Sequence, residues 1–324
     1  MPAPNPGLVQ PRTIDIGTVL SCYQHGGQDP TTRLQTDGGG TTARGKFVRA
    51  TLTPDGPGTV RMTWGTTVGQ YDNQITIEGV TFSINSYGPG GNWLAAQLPS
   101  MLGVDDVADH GLEAADHEVV ADAAGRHRSL RVGASGDFFH ELLPTILEQR
   151  ITAGEAHRQW LMLCNEFGAP APGPIDGLRL PPAPNLLSRI PSWQLHPLGI
   201  ERKRADALSA VARHPAKLWK WALLPPTEAA AKLRLIPGVG EWTIGSVVGP
   251  VLGDADAVAV GDFHLKNMVS WALAGEPRGT DERMLELLEP YRPQRGRVVR
   301  LLILAGLAAP KFGPKQRILP MYSW

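Results

Sequence analysis

A change of periodicity near residue 92 decides more about this fold than any other feature of the chain. Before it, β-branched and apolar residues partly alternate over 13–16, 46–53, 59–64 and 74–77. Alternation places one set of side chains on one face of a pleated strand, and the intervening Asp-Gly, Gly-Gly and Pro-Gly pairs supply tight turns. Pro54-Asp55-Gly56-Pro57-Gly58 is a hairpin signal between two of these segments. Together they predict a small antiparallel sheet over roughly residues 10–90. From Asn92 onward apolar residues recur every three or four positions, over 93–101, 137–149, 153–167, 202–213, 227–235, 241–252, 263–273 and 296–308. That spacing draws an apolar stripe down one side of a helix.

The predicted class is therefore α+β. A small N-terminal antiparallel β-sheet domain (1–91) precedes a mostly α-helical, two-lobed body (92–310) and a C-terminal tail (311–324). A Pro/Gly-rich stretch near 168–185 interrupts the helices and is predicted to cross between the two lobes. The length of 324 residues suits two or three packed units.

Composition excludes several classes. No run of about 18 apolar residues offers a membrane span, and residues 1–12 lack a signal-peptide pattern, so a cytoplasmic location is expected. Two cysteines, Cys22 and Cys164, are too few for a disulfide scaffold or an iron–sulfur cluster and read as packing residues. The nine histidines show no metal-ligand spacing, so no metal is expected from side chains. Net charge is zero, but its distribution is uneven. Acidic residues crowd 105–122, a segment expected to face solvent. Basic residues gather at Arg202, Lys203 and Arg204, at Arg213, Lys217 and Lys220, and at Arg292, Arg295, Arg297 and Arg300. Each cluster reads equally well as a solvated helix face or as a phosphate contact.

Local chemistry concentrates in Ile236-Pro237-Gly238-Val239-Gly240-Glu241-Trp242-Thr243. One helix, with Thr227 as its expected cap, stops at Pro237 and Gly238; another starts at Glu241. Glycines at the bend permit positive φ and close approach of a partner, and the free amides opening the second helix attract anions. Alone, this is an anion site or an ordinary tight turn. About twenty residues beyond the bend, Asp262 opens the next helix. Aspartate there is either a helix cap or a reactive carboxylate. Asp254 and Asp256 read as turn residues.

Hairpin and helix-start aspartate at this spacing resemble the helix-hairpin-helix DNA glycosylase superfamily, in particular the AlkA-type 3-methyladenine DNA glycosylases. The segments 137–152, 199–205, 237–243 and 291–295 carry the resemblance, which spans roughly residues 12–308. It implies a base-excision repair enzyme acting as a monomer on double-stranded DNA that contains a damaged base. It implies Asp262 as the catalytic carboxylate, with Trp242 and Phe263 lining the base pocket. Gly238, Val239, Gly240 and Thr243 of the hairpin would bind DNA. Gln149 and Arg150 would enter the gap left by the flipped nucleotide, Arg150 standing where the AlkA type has an aliphatic wedge. Backbone carbonyls of the family's hairpin can also hold a monovalent cation; no other cofactor is implied.

Glycosylases of this kind that also cut the backbone carry a lysine where this chain has Trp242, and use its amine to form a Schiff base. An indole cannot attack a sugar, so a monofunctional enzyme using water is expected. Lys266 reads as a phosphate contact or solvated residue. Alkylated purines are cations, and an aromatic face attracts a cation by roughly 0.5–2 kcal/mol. Ser246 replaces a family aromatic one turn beyond Trp242. A glycosylase for a neutral deaminated or oxidised base, and a non-catalytic helix-hairpin-helix DNA-binding protein, are the alternatives. Glu241 beside the bend and the absence of net positive charge fit the latter.

Overall fold

The computed structural model describes residues 14–37, 44–65, 74–77, 80–106 and 110–310. It begins with a short helix, α1 (Ile16–Leu20), capped by Asp15, whose carboxylate accepts the Thr18 amide. The strand expected over 13–16 is therefore absent from 14 onward; Ile14 and Ile16 are buried, but a local aspartate cap turns the chain into a helix. Five strands follow: β1 (Thr32–Asp37), β2 (Arg44–Thr53), β3 (Gly56–Trp64), β4 (Gln74–Ile77) and β5 (Val80–Tyr87). They form one antiparallel sheet in the order β1-β2-β3-β5-β4. The predicted hairpin joins β2 to β3 with Thr53 opposite Gly56, and the Thr53 hydroxyl donates to the Gly56 carbonyl at 2.8 Å.

Helix α2 (Gly91–Met101) lies on this sheet. Leu94, Leu98 and Met101 share a core with Phe47, Met62, Phe82 and Ile84. The sheet's packing unit thus extends past residue 91, to Leu102. In β2, residues Phe47 to Thr51 are buried without alternation because both faces are covered. Val48 and Ala50 pack on Leu178 and Leu180. This shows where the Pro/Gly-rich stretch goes: it runs across the sheet, with Arg179 donating its amide to Pro30.

The helices form two cores. Helix α3 (Glu118–Arg126) leaves the sheet and packs with the last helices of the chain. Next come α4 (Phe138–Leu147), α5 (Ala153–Phe167), α6 (Pro184–Leu187), α7 (Ser192–Leu195), α8 (Arg202–Ala212), α9 (Pro215–Trp221), α10 (Pro226–Leu233) and α11 (Glu241–Leu252). These share one core around α4, every residue of which is buried. The second core joins α3 to α12 (Phe263–Ala274), α13 (Asp281–Leu288) and α14 (Arg295–Leu304). Because α5 and α6 lie in the same core, the stretch 168–185 does not cross between lobes, as its composition suggested. The crossings fall at 127–137 and 253–262 instead. Helix α10 starts at Pro226 behind Pro225, so Thr227 lies inside the first turn and caps nothing. The tail 311–324 lies outside the described residues.

A buried polar network fastens the sheet to α4. Arg49 of β2 meets Glu141 at 2.5 Å, Thr51 donates to Asp137, His140 bonds both Thr31 and Thr51, and the Trp160 indole donates to Asp29. Glu141 is held below the usual carboxylate range: burial opposes its charge, but Arg49 and His25 outweigh that cost. Among the described residues no helix is long and apolar enough to cross a membrane.

Candidate active site

The bend between α10 and α11 uses its two glycines differently. Gly238 takes φ +86, and a Cβ there would lie 2.5 Å from the Ala207 methyl carbon on α8. Only glycine fits, for reasons inside the fold. Gly240 is extended, at φ −99 and ψ −177, and a Cβ there would meet nothing within 4 Å. Its face is open to an approaching partner. Ile236 and Val239 point inward and are buried, clamping the hairpin onto the α4 core. Val239 therefore contributes only its backbone to the outer face.

Gln149, after the C-terminus of α4, reaches across the hairpin. Its amide nitrogen donates to the Gly238 carbonyl at 3.0 Å and the Thr243 hydroxyl at 2.9 Å. Thr243 is 2% exposed, so its hydroxyl braces the protein and offers nothing to a partner. Arg150, next in the chain, is exposed and holds φ +61, the only left-handed non-glycine among the described residues. Such a conformation costs an ordinary residue about 1–2 kcal/mol. It makes Arg150 a knuckle projecting between α4 and α5.

Asp262 caps α12. Its Oδ1 accepts the amides of His264 and Leu265, each at 2.8 Å, while its Oδ2 accepts the Trp242 indole N–H at 3.2 Å. Trp242 is the second residue of α11, so a single indole spans the distance from the hairpin to the carboxylate. The half-buried Asp262 opens onto a cavity of about 930 Å³ shared with Gln149, Arg150, Gly240, Trp242 and Phe263. Gly238 and Thr243 border it as well. Phe263 is 71% exposed at the rim, edge-on to the His264 ring, rather than deep in the wall. Ser246 is turned back, donating to the Trp242 carbonyl.

The basic clusters divide sharply. Arg204 is buried and donates to the Leu147 and Gly199 carbonyls and to Gln159, so the segment 199–205 stitches α8 to α4. Arg297 is buried against Asp106 at 2.5 Å. The acidic segment thus supplies a core partner, contrary to the solvent-facing role its composition suggested. Arg295 holds Asp256, Arg292 pairs with Glu289, and Arg300 donates to the Thr18 carbonyl. Each arginine of the C-terminal cluster thus has a partner within the protein, although Arg292 itself is exposed. Arg202, Lys203, Arg213, Lys217 and Lys220 are exposed. Glu241 forms a two-bond pair with Arg234 across the bend, at 2.7 and 2.9 Å, and that hydrogen bonding holds its carboxyl below its ordinary range. The anion beside the hairpin is thereby neutralised.

Glu148, which lies within the resembling segment 137–152 but was assigned no role, also lines the cavity, as do Glu155 and Gln159, which carried no sequence signal. No cluster of three or more His, Cys, Asp or Glu residues able to hold a metal occurs among the described residues. In the hairpin, the Leu233, Ile236 and Gly238 carbonyls each already accept a hydrogen bond. A carbonyl has a second lone pair, so a monovalent cation is compatible with this set.

No protein-family model matches the sequence, and no curated protein does. Solved structures do match. A 3-methyladenine DNA glycosylase from Archaeoglobus fulgidus is 16% identical at TM-score 0.69, covering 91% of this chain and 95% of that one. An 8-oxoguanine glycosylase/lyase from Clostridium acetobutylicum, bound to double-stranded DNA, is 13% identical at TM-score 0.61, covering 91% and 92%. The 3-methyladenine DNA glycosylase Mag1 of Schizosaccharomyces pombe, bound to abasic DNA, is 18% identical at TM-score 0.51, covering 63% and 99%. The fold is that of the helix-hairpin-helix DNA glycosylases, as the sequence resemblance implied. The first two matches take in the β-sheet unit along with the helices, since each covers nine-tenths of the chain.

Proposed function

We propose that this chain is a monofunctional DNA glycosylase that rotates an alkylated, cationic base out of duplex DNA and hydrolyses its N-glycosidic bond. The observation that carries this reading is one cavity shared by the open Gly240 backbone, the Trp242 indole and the free flank of the Asp262 carboxylate. Amides of the bend hold a phosphate of the lesion strand. Arg150 enters the stack and fills the gap, since extrusion costs a few kcal/mol that an inserted side chain offsets. The extruded base stacks on Trp242, whose face attracts its positive charge.

As the bond from C1′ to the base nitrogen breaks, its electron pair leaves with the base, and positive charge develops on the sugar. The Asp262 carboxylate stabilises that charge and orients water, whose oxygen bonds C1′ and whose proton is lost to the carboxylate or solvent. A cationic base leaves as a neutral molecule, so no acid is required. Lys266 supports the monofunctional reading: its amine is tied to Asp281 at 3.3 Å, and it is not among the described residues lining the cavity.

The test is single-turnover base release from duplexes carrying 7-methylguanine, 8-oxoguanine or uracil. Release from the methylated duplex alone, slowed at least about 10²-fold by Asp262→Asn, is the expected result. Preferential release of the neutral bases would replace the substrate class. Equal rates for wild type and Asp262→Asn would end the catalytic assignment.

A further inference from the structure

Asp281 lies in the first turn of α13, away from the cavity lining, yet its two oxygens bind residues that flank Asp262 in sequence. Its Oδ1 accepts the Gly261 amide at 2.9 Å, and its Oδ2 meets the Lys266 ammonium at 3.3 Å. Gly261 directly precedes Asp262; Lys266 stands one helical turn after it. We propose that Asp281 is the positioning residue of the Asp262 carboxylate, an inference that rests on the glycosylase reading above.

The backbone just before Asp262 and the Lys266 side chain one turn after it are both tied to this one side chain. Gly261 needs the tie: it sits at φ +95 on the cavity border, where the chain crosses from one helical core to the other. Without a partner, a glycine in that region has many conformations open to it. Asp281 is itself firmly seated. Thr280 caps α13 by accepting the Arg283 amide. The Gly279 amide donates to Asn267 Oδ1, while Asn267 Nδ2 donates to the Phe263 carbonyl. A Cβ on Gly279 would collide with the Ser270 hydroxyl, so the loop from α12 to α13 lies directly on α12. A rigid α12–α13 pair therefore fixes one end of the Gly261–Asp262 peptide, and the Asp262 cap fixes the other. Asp281 acts through Gly261 and touches no reacting atom.

The experiment compares Asp281→Ala, Asp281→Asn and Lys266→Met with wild type. Three readouts are taken: single-turnover base release from methylated duplex, affinity for a duplex with a non-cleavable abasic analogue, and the NMR signal of the Trp242 indole N–H. That signal, assigned by its loss in Trp242→Phe, reports where the Asp262 carboxylate sits without requiring any catalysis. Asp281→Ala is expected to slow base release at least ten-fold, with DNA affinity within three-fold of wild type and a shifted indole signal. Asp281→Asn, which restores an acceptor for Gly261, and Lys266→Met, which leaves that bond intact, are expected within three-fold of the wild-type rate. Wild-type turnover by Asp281→Ala, or an Asn variant as slow as the Ala variant, overturns the proposal. If the wild-type protein releases no base, the glycosylase reading fails. The positioning claim is then decided by the indole signal, which must move in Asp281→Ala and stay in Lys266→Met.

Discussion

The two glycines of the bend offer a way to separate folding from binding with the same substitution made two residues apart. Gly238→Ala forces an alanine into left-handed backbone, at a cost of about 1–2 kcal/mol. It also drives a methyl to 2.5 Å from the Ala207 Cβ on α8, where carbon atoms normally stand about 3.5–4.0 Å apart. Relieving such over-packing costs about 1–3 kcal/mol, so the fold should lose about 2–5 kcal/mol. Gly240→Ala differs on every count. The backbone is extended and the methyl enters open space. Alanine is a poorer cap than glycine by about 0.5–1 kcal/mol, but it also restricts the unfolded chain by about 0.4–1 kcal/mol, so stability should hardly change. Its methyl stands instead where a phosphate would approach, and DNA affinity should fall at least about ten-fold, or 1.4 kcal/mol. Urea unfolding gives the first quantity, and anisotropy titration of an abasic-analogue duplex at fixed salt gives the second. Wild-type affinity in Gly240→Ala would show that the open face is not used by DNA. Wild-type stability in Gly238→Ala would refute the packing argument.

Gln149→Ala removes both bonds that tie the α4 turn to the hairpin and should destabilise the protein by about 1–2 kcal/mol while weakening DNA binding, measured by the same two assays. An unchanged affinity would show that the brace is dispensable. His25 gives a pH signature. Burial opposes its charge, but Glu141 and Glu148 outweigh that and lift its pKa to about 9. Because the unfolded value is ~6.5, its stabilisation is fully present below that pH and is lost as pH rises through about 9. The stability difference between wild type and His25→Gln should therefore shrink between pH 6.5 and pH 9.5. A constant difference contradicts the charged pair.

Elements with a repeated pattern were legible in the sequence. The ranges of α5 and α11 coincide with the predicted 153–167 and 241–252, and β4 coincides with 74–77. Strand β5 alternates Val80, Phe82 and Ile84 with Thr81, Ser83 and Asn85, which is itself a strand pattern. Strand β1, Thr-Arg-Leu-Gln-Thr-Asp, has one aliphatic residue and is a strand because β2 pairs with it. Charge was the least legible property. Arg49, Arg204 and Arg297 look like solvated residues in a string of letters, yet each is buried with partners brought from distant sequence. Which cation faces water depends on tertiary contacts that no local pattern records.

Asp262 shows why the site was harder to read than the fold. A helix cap and a reactive carboxylate require the same residue at the same position, so sequence alone leaves both open. In the structure its two oxygens have different partners: Oδ1 serves the His264 and Leu265 amides, and Oδ2 meets the Trp242 indole at the cavity wall. Capping has a further consequence, because a carboxylate held by two backbone amides is restrained from rotating. It also makes asparagine an informative replacement. Asparagine caps as well as aspartate does, so α12 and the crossing from Gly253 to Asp262 should keep their geometry in that variant. What asparagine lacks is the negative charge and, with its one oxygen used by the cap, an acceptor for the Trp242 indole N–H. A loss of turnover without a loss of stability therefore separates what the carboxylate does at the cavity from what it does as a cap, whereas equal losses of both would return Asp262 to the status of a cap.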